Sequence, residues 1–152
     1  MYKIYLGCDH AGFEMKEKIK LFLGSLGYNI EDEGAYTYNP DDDYPDFILK
    51  VAKAVAGDPE NNRGIILGGS GQGEAMVANR VKSVRAAVYY ARNLNMIEVT
   101  REHNDANILA LGARFLEEDD ALAAVKYWLE TSFKNEERHL RRIKKIDEMP
   151  RC

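Results

Sequence analysis

The chain is expected to fold as an α/β protein, a Rossmann-like three-layer α/β/α sandwich around a parallel sheet of about five strands. Three observations carry that expectation. Short apolar runs of strand length alternate with segments of helical spacing from one end of the chain to the other. The stretch GIILGGSGQGEAMVANRV, Gly64 to Val81, sets a glycine-rich turn between an apolar run and a helix pattern, as happens where a parallel strand hands over to its crossover helix. The length of 152 residues, with 45% hydrophobic and 30% charged, suits a single domain that buries a core.

Taken in order, Tyr2 to Leu6 reads as the first strand. Met15, Ile19, Phe22, Leu23 and Leu26 follow with helical spacing, and Gly27 stands where that helix would end. Tyr28 to Ile30 begins a second, weaker strand, followed by the acidic, turn-rich loop EGAYTYNPDDDYP, Glu33 to Pro45. Phe47 to Ala56 is a helix that GDPENN terminates. Gly64 to Leu67 is a strand and Glu74 to Lys82 a helix. Val84 to Tyr89 is a strand, with a helix around Leu94 to Glu102. Ile108 to Leu111 is the fifth strand, and Leu116 to Phe133 and Glu136 to Met149 are the last helices. Residues 1–152 are read as one domain, with helix 136–149 packing on it or on a partner subunit. Right-handed crossovers would place helices on both faces, with ligands at the carboxyl edge where the strand order switches. Cys8-Asp9-His10 and the loop Gly68 to Gly73 both fall at that edge.

Composition removes several classes of function. A formal net charge of -4 gives no general electrostatic case for nucleic acid or an anionic membrane. The two cysteines, Cys8 and Cys152, are not placed for a structural disulfide, which suits a reducing cytoplasm. The segment MYKIYLGCDH is too short and too soon broken to be a signal peptide, and no apolar run approaches membrane-spanning length.

The glycine loop has three readings. A P-loop needs G-x-x-x-x-G-K-[ST]; Gly68 and Gly73 have the spacing, but Glu74 replaces the lysine and inverts the charge that would hold a phosphate. A dinucleotide fingerprint needs G-x-G-x-x-G; Gly69 and Gly71 supply the first pair, but Glu74 takes the third place and no acidic residue ends the next strand. The third reading uses the charge. Backbone N–H groups at a helix N-terminus stabilise an oxyanion that develops during a reaction, and a carboxylate beside them could remove the proton whose loss creates it. An aldose–ketose isomerase has that need. For a lone glutamate, the plain preference of acidic residues for the first helical turn would be the better reading, so the neighbours decide.

Those neighbours are CDHAG at Cys8 to Gly12, DYPDF at Asp43 to Phe47, GGSGQGE at Gly68 to Glu74, REHNDANILALGAR at Arg101 to Arg114, and ERHLRR at Glu137 to Arg142. Together they resemble the ribose-5-phosphate isomerase B family, which includes the galactose-6-phosphate isomerase subunits, over nearly the whole chain. The resemblance implies cofactor-free, metal-free interconversion of an aldose phosphate and a ketose phosphate. Some members of that family carry a base cysteine where this chain has Gly68. Others use a glutamate at the position of Glu74, and this chain is of the second kind. Cys8 is read as a small buried strand residue.

The same matches imply the remaining roles. His103 would open the sugar ring as acid–base group, and Asp9 would bind sugar hydroxyls and assist ring opening, while also capping the first helix. Gly69, Ser70, Gly71, Gln72 and Gly73 would hold the enediolate oxygens, and Asn104 a substrate hydroxyl. Arg138 and Arg142, four apart on one helix face, would bind phosphate with His10 and Arg114. His139 matches a family histidine without a clear role. The segment YYARNLNMIEV, Tyr89 to Val99, departs from the family pattern, and Gln72 replaces a more frequent asparagine. Ribose 5-phosphate and ribulose 5-phosphate are the expected pair. The alternatives are a six-carbon phosphate of galactose or allose type and a non-catalytic sugar-phosphate-binding module. Because Asp9 and Glu74 follow strands while His103 precedes one, the reacting groups are expected to meet only in a homodimer, or a dimer of dimers, with shared active sites.

Overall fold

The computed structural model describes residues 2–150; Cys152, with Met1 and Arg151, lies outside the described residues. The elements run β1 (Lys3–Cys8), α1 (Phe13–Ser25), β2 (Asn29–Asp32), α2 (Pro45–Gly57), β3 (Asn62–Gly68), α3 (Gln72–Ala78), β4 (Ala86–Tyr89), α4 (Leu94–Glu102), β5 (Ile108–Gly112), α5 (Glu118–Glu130) and α6 (Glu137–Asp147). The five strands pair in parallel in the order β2-β1-β3-β5-β4. The expected three-layer α/β/α sandwich is therefore the observed one. The strand order reverses between β1 and β3, where a crevice opens at the carboxyl edge of such sheets. Register brings Cys8 level with Leu67 and Gly68 level with Gly112, so β1, β3 and β5 end together at that edge.

Each face has its own apolar layer. Ile19 and Leu23 of α1, Ile97 of α4, and Ala124, Val125 and Trp128 of α5 close one face over Leu6, Leu67 and Leu109. Ile48, Val51 and Val55 of α2 and Ala75 and Ala78 of α3 close the other over Ile66, Ile108 and Ala110. Every residue of β3 is buried, as a strand covered on both faces must be. Lys16 of α1 is fully buried too. Its ammonium donates to both carboxylate oxygens of Asp32 at 2.7 Å and to the carbonyl of Ala35 at 2.8 Å, so its charge is met on all sides.

Most element boundaries differ from the expected ones, usually by a residue or two, and three of the shifts have a clear local reason. The strand after α1 extends to Asp32, because parallel pairing with Tyr5 and Leu6 carries Glu31 and Asp32 into the ladder. The helix expected over Glu74 to Lys82 stops at Ala78. Asn79 turns the chain by bonding the N–H and the carbonyl of Ala86 through its side-chain amide. The helix expected to reach Phe133 ends at Glu130, where Thr131 adopts an extended backbone and its hydroxyl donates to the carbonyl of Tyr127. Gly27 has φ +80 just past the C-cap of α1, the left-handed residue that such a stop requires. Among the described residues no helix is long and apolar enough to cross a membrane.

Candidate active site

The glycine loop is shaped by two close approaches. Gly71 caps α3 with φ +75, and a Cβ there would press on the backbone of Leu111 at 3.1 Å and Ala110 at 3.2 Å, so only glycine serves. Glu74 enters in the first turn of α3 and folds back over the end of β3. It is 4% exposed, and a Cβ on Gly68 would stand 1.8 Å from its Oε1. The missing side chain of Gly68 is the space the carboxylate fills. Burial pushes the Glu74 carboxyl above its ordinary value, partly offset by its own backbone N–H, with the nearby negative Asp9 adding to the rise. That is the tuning expected of a general base working near neutrality.

The hollow gives a prediction. Gly68→Ala adds a Cβ at an ordinary strand position, so the fold should persist while the Glu74 carboxylate is driven out. Turnover should fall by roughly 100-fold or more, as when a general base is removed or misplaced, with an unchanged circular dichroism spectrum. Turnover within a few-fold of wild type would show that the carboxylate does not act from this position.

A cavity of about 400 Å³ opens beside Glu74, lined also by Asp9, Gly69, Ser70, Gly73 and Arg114, and by Tyr44 and Phe115. Asp9 follows β1; its Oδ1 accepts from the N–H groups of Ala11 and Gly12 at 2.9 and 3.2 Å, fixing the turn into α1. Asp9 is therefore not the cap of the first helix that the sequence suggested: the N-cap of α1 is Gly12, without a side-chain cap bond, and Asp9 shapes the turn before it. Arg114 follows β5 and is tied to the loop by its N–H, which donates to the carbonyl of Gly69 at 3.1 Å. Its guanidinium lies against Gly69, 3.3 Å from where a Cβ would be. Gln72 stands next door, with Ser70, Tyr90 and Phe115, around a second cavity of about 330 Å³. A larger cavity of about 490 Å³ lies between Arg80–Val84 and Ile146–Pro150. It has charges but neither a buried carboxylate nor a glycine loop, so size does not locate the chemistry.

Two lining residues were not foreseen. Tyr44 packs on Gly73, where a Cβ would meet its ring at 2.7 Å; its place in DYPDF, just before the first turn of α2, was the available signal. Phe115 is 58% exposed and tilts against Tyr90 at 5.7 Å between centroids; an exposed aromatic after a strand carries no sequence signal. Cys8 is fully buried, and burial pushes its thiol up to about 12, which removes it as a base. Asp9, His10 and Asp42 are the one group among the described residues with metal-ligand spacing, their polar atoms within 4.8 Å of one another. Hydrogen bonds already account for that closeness: His10 Nδ1 meets Asp42 Oδ1 at 2.8 Å, and Asp9 Oδ1 serves two backbone amides.

The remaining expected residues lie at the other edge. His103 is the C-cap of α4, and the carbonyl of Asn104 accepts from Arg85 at 3.1 Å, just before β4 begins. Asn104 helps line a cavity with Asn79, Arg85 and Ile146, apart from Glu74. The His103 ring stacks on that of His139, 4.4 Å between centroids and 11° from parallel. His139 is 5% exposed, and its pKa is lowered by burial first and then by His103 and Arg138. This stack seats α6, and with it Arg138 and Arg142, beside His103. Arg138 is exposed, its Nε donating to Glu136 at 2.8 Å. The carboxyl and amino edges are separated by the length of a strand such as β5, about 17 Å for five residues.

Comparison with known proteins gives one consistent answer. A family model described as Ribose/Galactose Isomerase matches residues 4–146. Ribose-5-phosphate isomerase B of Mycolicibacterium paratuberculosis is 40% identical over 149 residues, covering 98% of this chain and 92% of the relative. Among solved structures, ribose-5-phosphate isomerase B of Mycoplasma genitalium with bound ribulose-5-phosphate superposes with a TM-score of 0.91 at 34% identity, covering 96% of this chain and 94% of that one. The Clostridium thermocellum ribose-5-phosphate isomerase B superposes with a TM-score of 0.89 at 46% identity, covering 96% and 95%.

Proposed function

Since the chain belongs to the ribose/galactose isomerase family, we propose that it is an aldose–ketose isomerase interconverting ribose 5-phosphate and ribulose 5-phosphate through an enediolate. The observation that carries this reading is Glu74, a buried carboxylate held in the hollow of Gly68 with its pKa raised, at the mouth of a glycine loop. Glu74 takes the proton from C2 of the open-chain aldose. Negative charge then develops on the carbonyl oxygen, where amide N–H groups of Gly69 to Gly73 and the Ser70 hydroxyl receive it. As the hydroxyl proton on O2 passes to O1, Glu74, now protonated, returns its proton to C1 and leaves the ketose. Asp9 binds hydroxyls, and Arg114 and His10 attract the phosphate from within the same chain.

Ring opening, on this reading, is the task of His103, and it comes from a second subunit. Arg138, Arg142 and Asn104 then accompany it into the partner's cavity. Support comes from α6 as well as from the separation of the two edges. Leu140 and Ile146 of the otherwise strongly charged α6, and Met149 just beyond it, stand 46%, 51% and 66% exposed, apolar side chains suited to burial against another subunit. We propose a homodimer, or a dimer of dimers, with each site shared between two chains.

One observation favours a second substrate within the same reaction class. The cavity of Ser70, Gln72, Tyr90 and Phe115 adjoins the Glu74 cavity through Ser70 and Phe115, and leaves room for a longer sugar of galactose or allose type. A non-catalytic binding module is disfavoured, because a binding protein gains nothing from a buried carboxylate with a raised pKa. The test is a coupled assay of the purified protein on a panel of five- and six-carbon aldose phosphates. The highest kcat/KM should fall on ribose 5-phosphate. A clear preference for a six-carbon 6-phosphate would transfer the assignment to that substrate, and no turnover on any of them would overturn isomerase activity.

A further inference from the structure

His10 is held at two points by one oxygen. Asp42 Oδ1 accepts from its backbone N–H at 3.0 Å and meets its ring Nδ1 at 2.8 Å. An ionised carboxylate offers no proton, so Nδ1 must carry one whether the ring is neutral or charged. Nε2 is then the ring nitrogen outside this contact. The Tyr38 ring stands edge-on to that of His10, 6.3 Å between centroids. Asp9, which lines the Glu74 cavity, has a carboxylate oxygen within 4.8 Å of this pair.

Asp42 is unusual within its loop. Asp41 and Asp43 on either side are exposed, whereas the Asp42 side chain is only 7% exposed. Its second oxygen, Oδ2, is buried without a hydrogen-bond partner. A half-satisfied buried carboxylate is unfavourable, and turning it to water would relieve it. Its two contacts with His10 are what the buried position secures. We propose that Asp42 is a positioning residue, which holds the orientation of His10 with Nδ1 protonated, so that Nε2–H of the imidazolium donates to the phosphate of the substrate. The inference rests on the reading of His10 as a phosphate-binding residue.

A double-mutant cycle with an independent spectroscopic arm tests it. His10→Ala and Asp42→Ala should each raise KM and the inhibition constant of inorganic phosphate by about 10-fold, the value of a hydrogen bond to a charged group. The double variant should be no worse than either single one, because Asp42 acts through His10. Asp42→Asn keeps an acceptor for Nδ1–H and should recover most of the loss. In ¹⁵N spectra above the titration of the ring, wild-type His10 should show the Nδ1–H tautomer, and Asp42→Ala should revert to the Nε2–H tautomer of free histidine.

Multiplying effects in the cycle would assign Asp42 a structural tie instead. A neutral wild-type His10 with its proton on Nε2 would overturn the proposal even if Asp42→Ala did not fold. If His10→Ala leaves KM and phosphate inhibition at wild-type values, the phosphate role of His10 fails and the proposal falls with it. A rise in KM for His10→Ala but not for Asp42→Ala would refute the positioning role alone.

Discussion

Glu74→Gln is expected to lower turnover by roughly 100- to 10,000-fold, the usual contribution of a positioned general base, while inhibition by inorganic phosphate stays close to wild type. Glutamine keeps the shape that fills the Gly68 hollow and loses the ability to take a proton. The pH dependence carries a second signature. Burial, helped by Asp9, raises the Glu74 carboxyl above its ordinary value, so kcat/KM should climb with pH through that raised value. The same shift acts on stability with the opposite sense. A carboxyl whose folded-state pKa is raised holds its proton longer in the folded state than in the unfolded chain, so folding stability falls as pH rises from the unfolded value through the folded one. Glu74→Gln lacks that loss. Its melting temperature should therefore match wild type in acid and exceed it above the titration. A variant that retains activity within a few-fold, or melts lower at neutral pH, contradicts the assignment of Glu74 as a buried base.

Mixing two dead variants should restore activity. Glu74→Gln and His103→Ala should each be nearly inactive alone, because one removes the proton transfer and the other the ring opening. After co-refolding in equal amounts about half of the two-fold dimers are mixed. If His103 acts across the interface, each mixed dimer has one intact site and one doubly damaged site, and up to about a quarter of wild-type activity returns. If His103 served the Glu74 of its own chain, every site would keep one lesion and nothing would return. Subunit exchange measured by mass spectrometry, with no recovery, would refute the shared site. The expectation rests on chain geometry: His103 lies beyond α4 and before β5, while Glu74 follows β3. The His139 stack anchors the neighbouring arginines to the His103 end.

The parallel sandwich was legible because each crossover leaves its own periodic signature: buried strands read as unbroken apolar runs and helices as spaced ones. The glycine loop and Glu74 were legible for a different reason, since the carboxylate broke two phosphate-binding motifs at the position each depends on. What sequence spacing could not show was the third dimension of the site. That Gly68 is empty so that the Glu74 carboxylate can occupy its place depends on a helix turn folding back over a strand end. Tyr44 reaches Gly73 from the far side of a long acidic loop, and Phe115 enters only because β5 ends level with β3. Helix ends were missed where side chains intervened, as when Asn79 bonded Ala86 and stopped α3 short. The stack of His103 on His139 was likewise hidden, since α4 and α6 are separated in sequence by a strand and a helix.

Proton abstraction by Glu74 to give an enediolate is the core of this account, and isotope incorporation tests it most directly. Ribose 5-phosphate is incubated in D₂O with wild type and with Glu74→Gln, and followed by NMR over many turnovers. Wild type is expected to form ribulose 5-phosphate carrying deuterium at C1 and to wash hydrogen out of C2 of the remaining aldose, while the variant does neither. Ketose that reaches equilibrium with the substrate's hydrogen retained and no deuterium gained would mean direct hydride transfer, and would contradict a carboxylate base at this site.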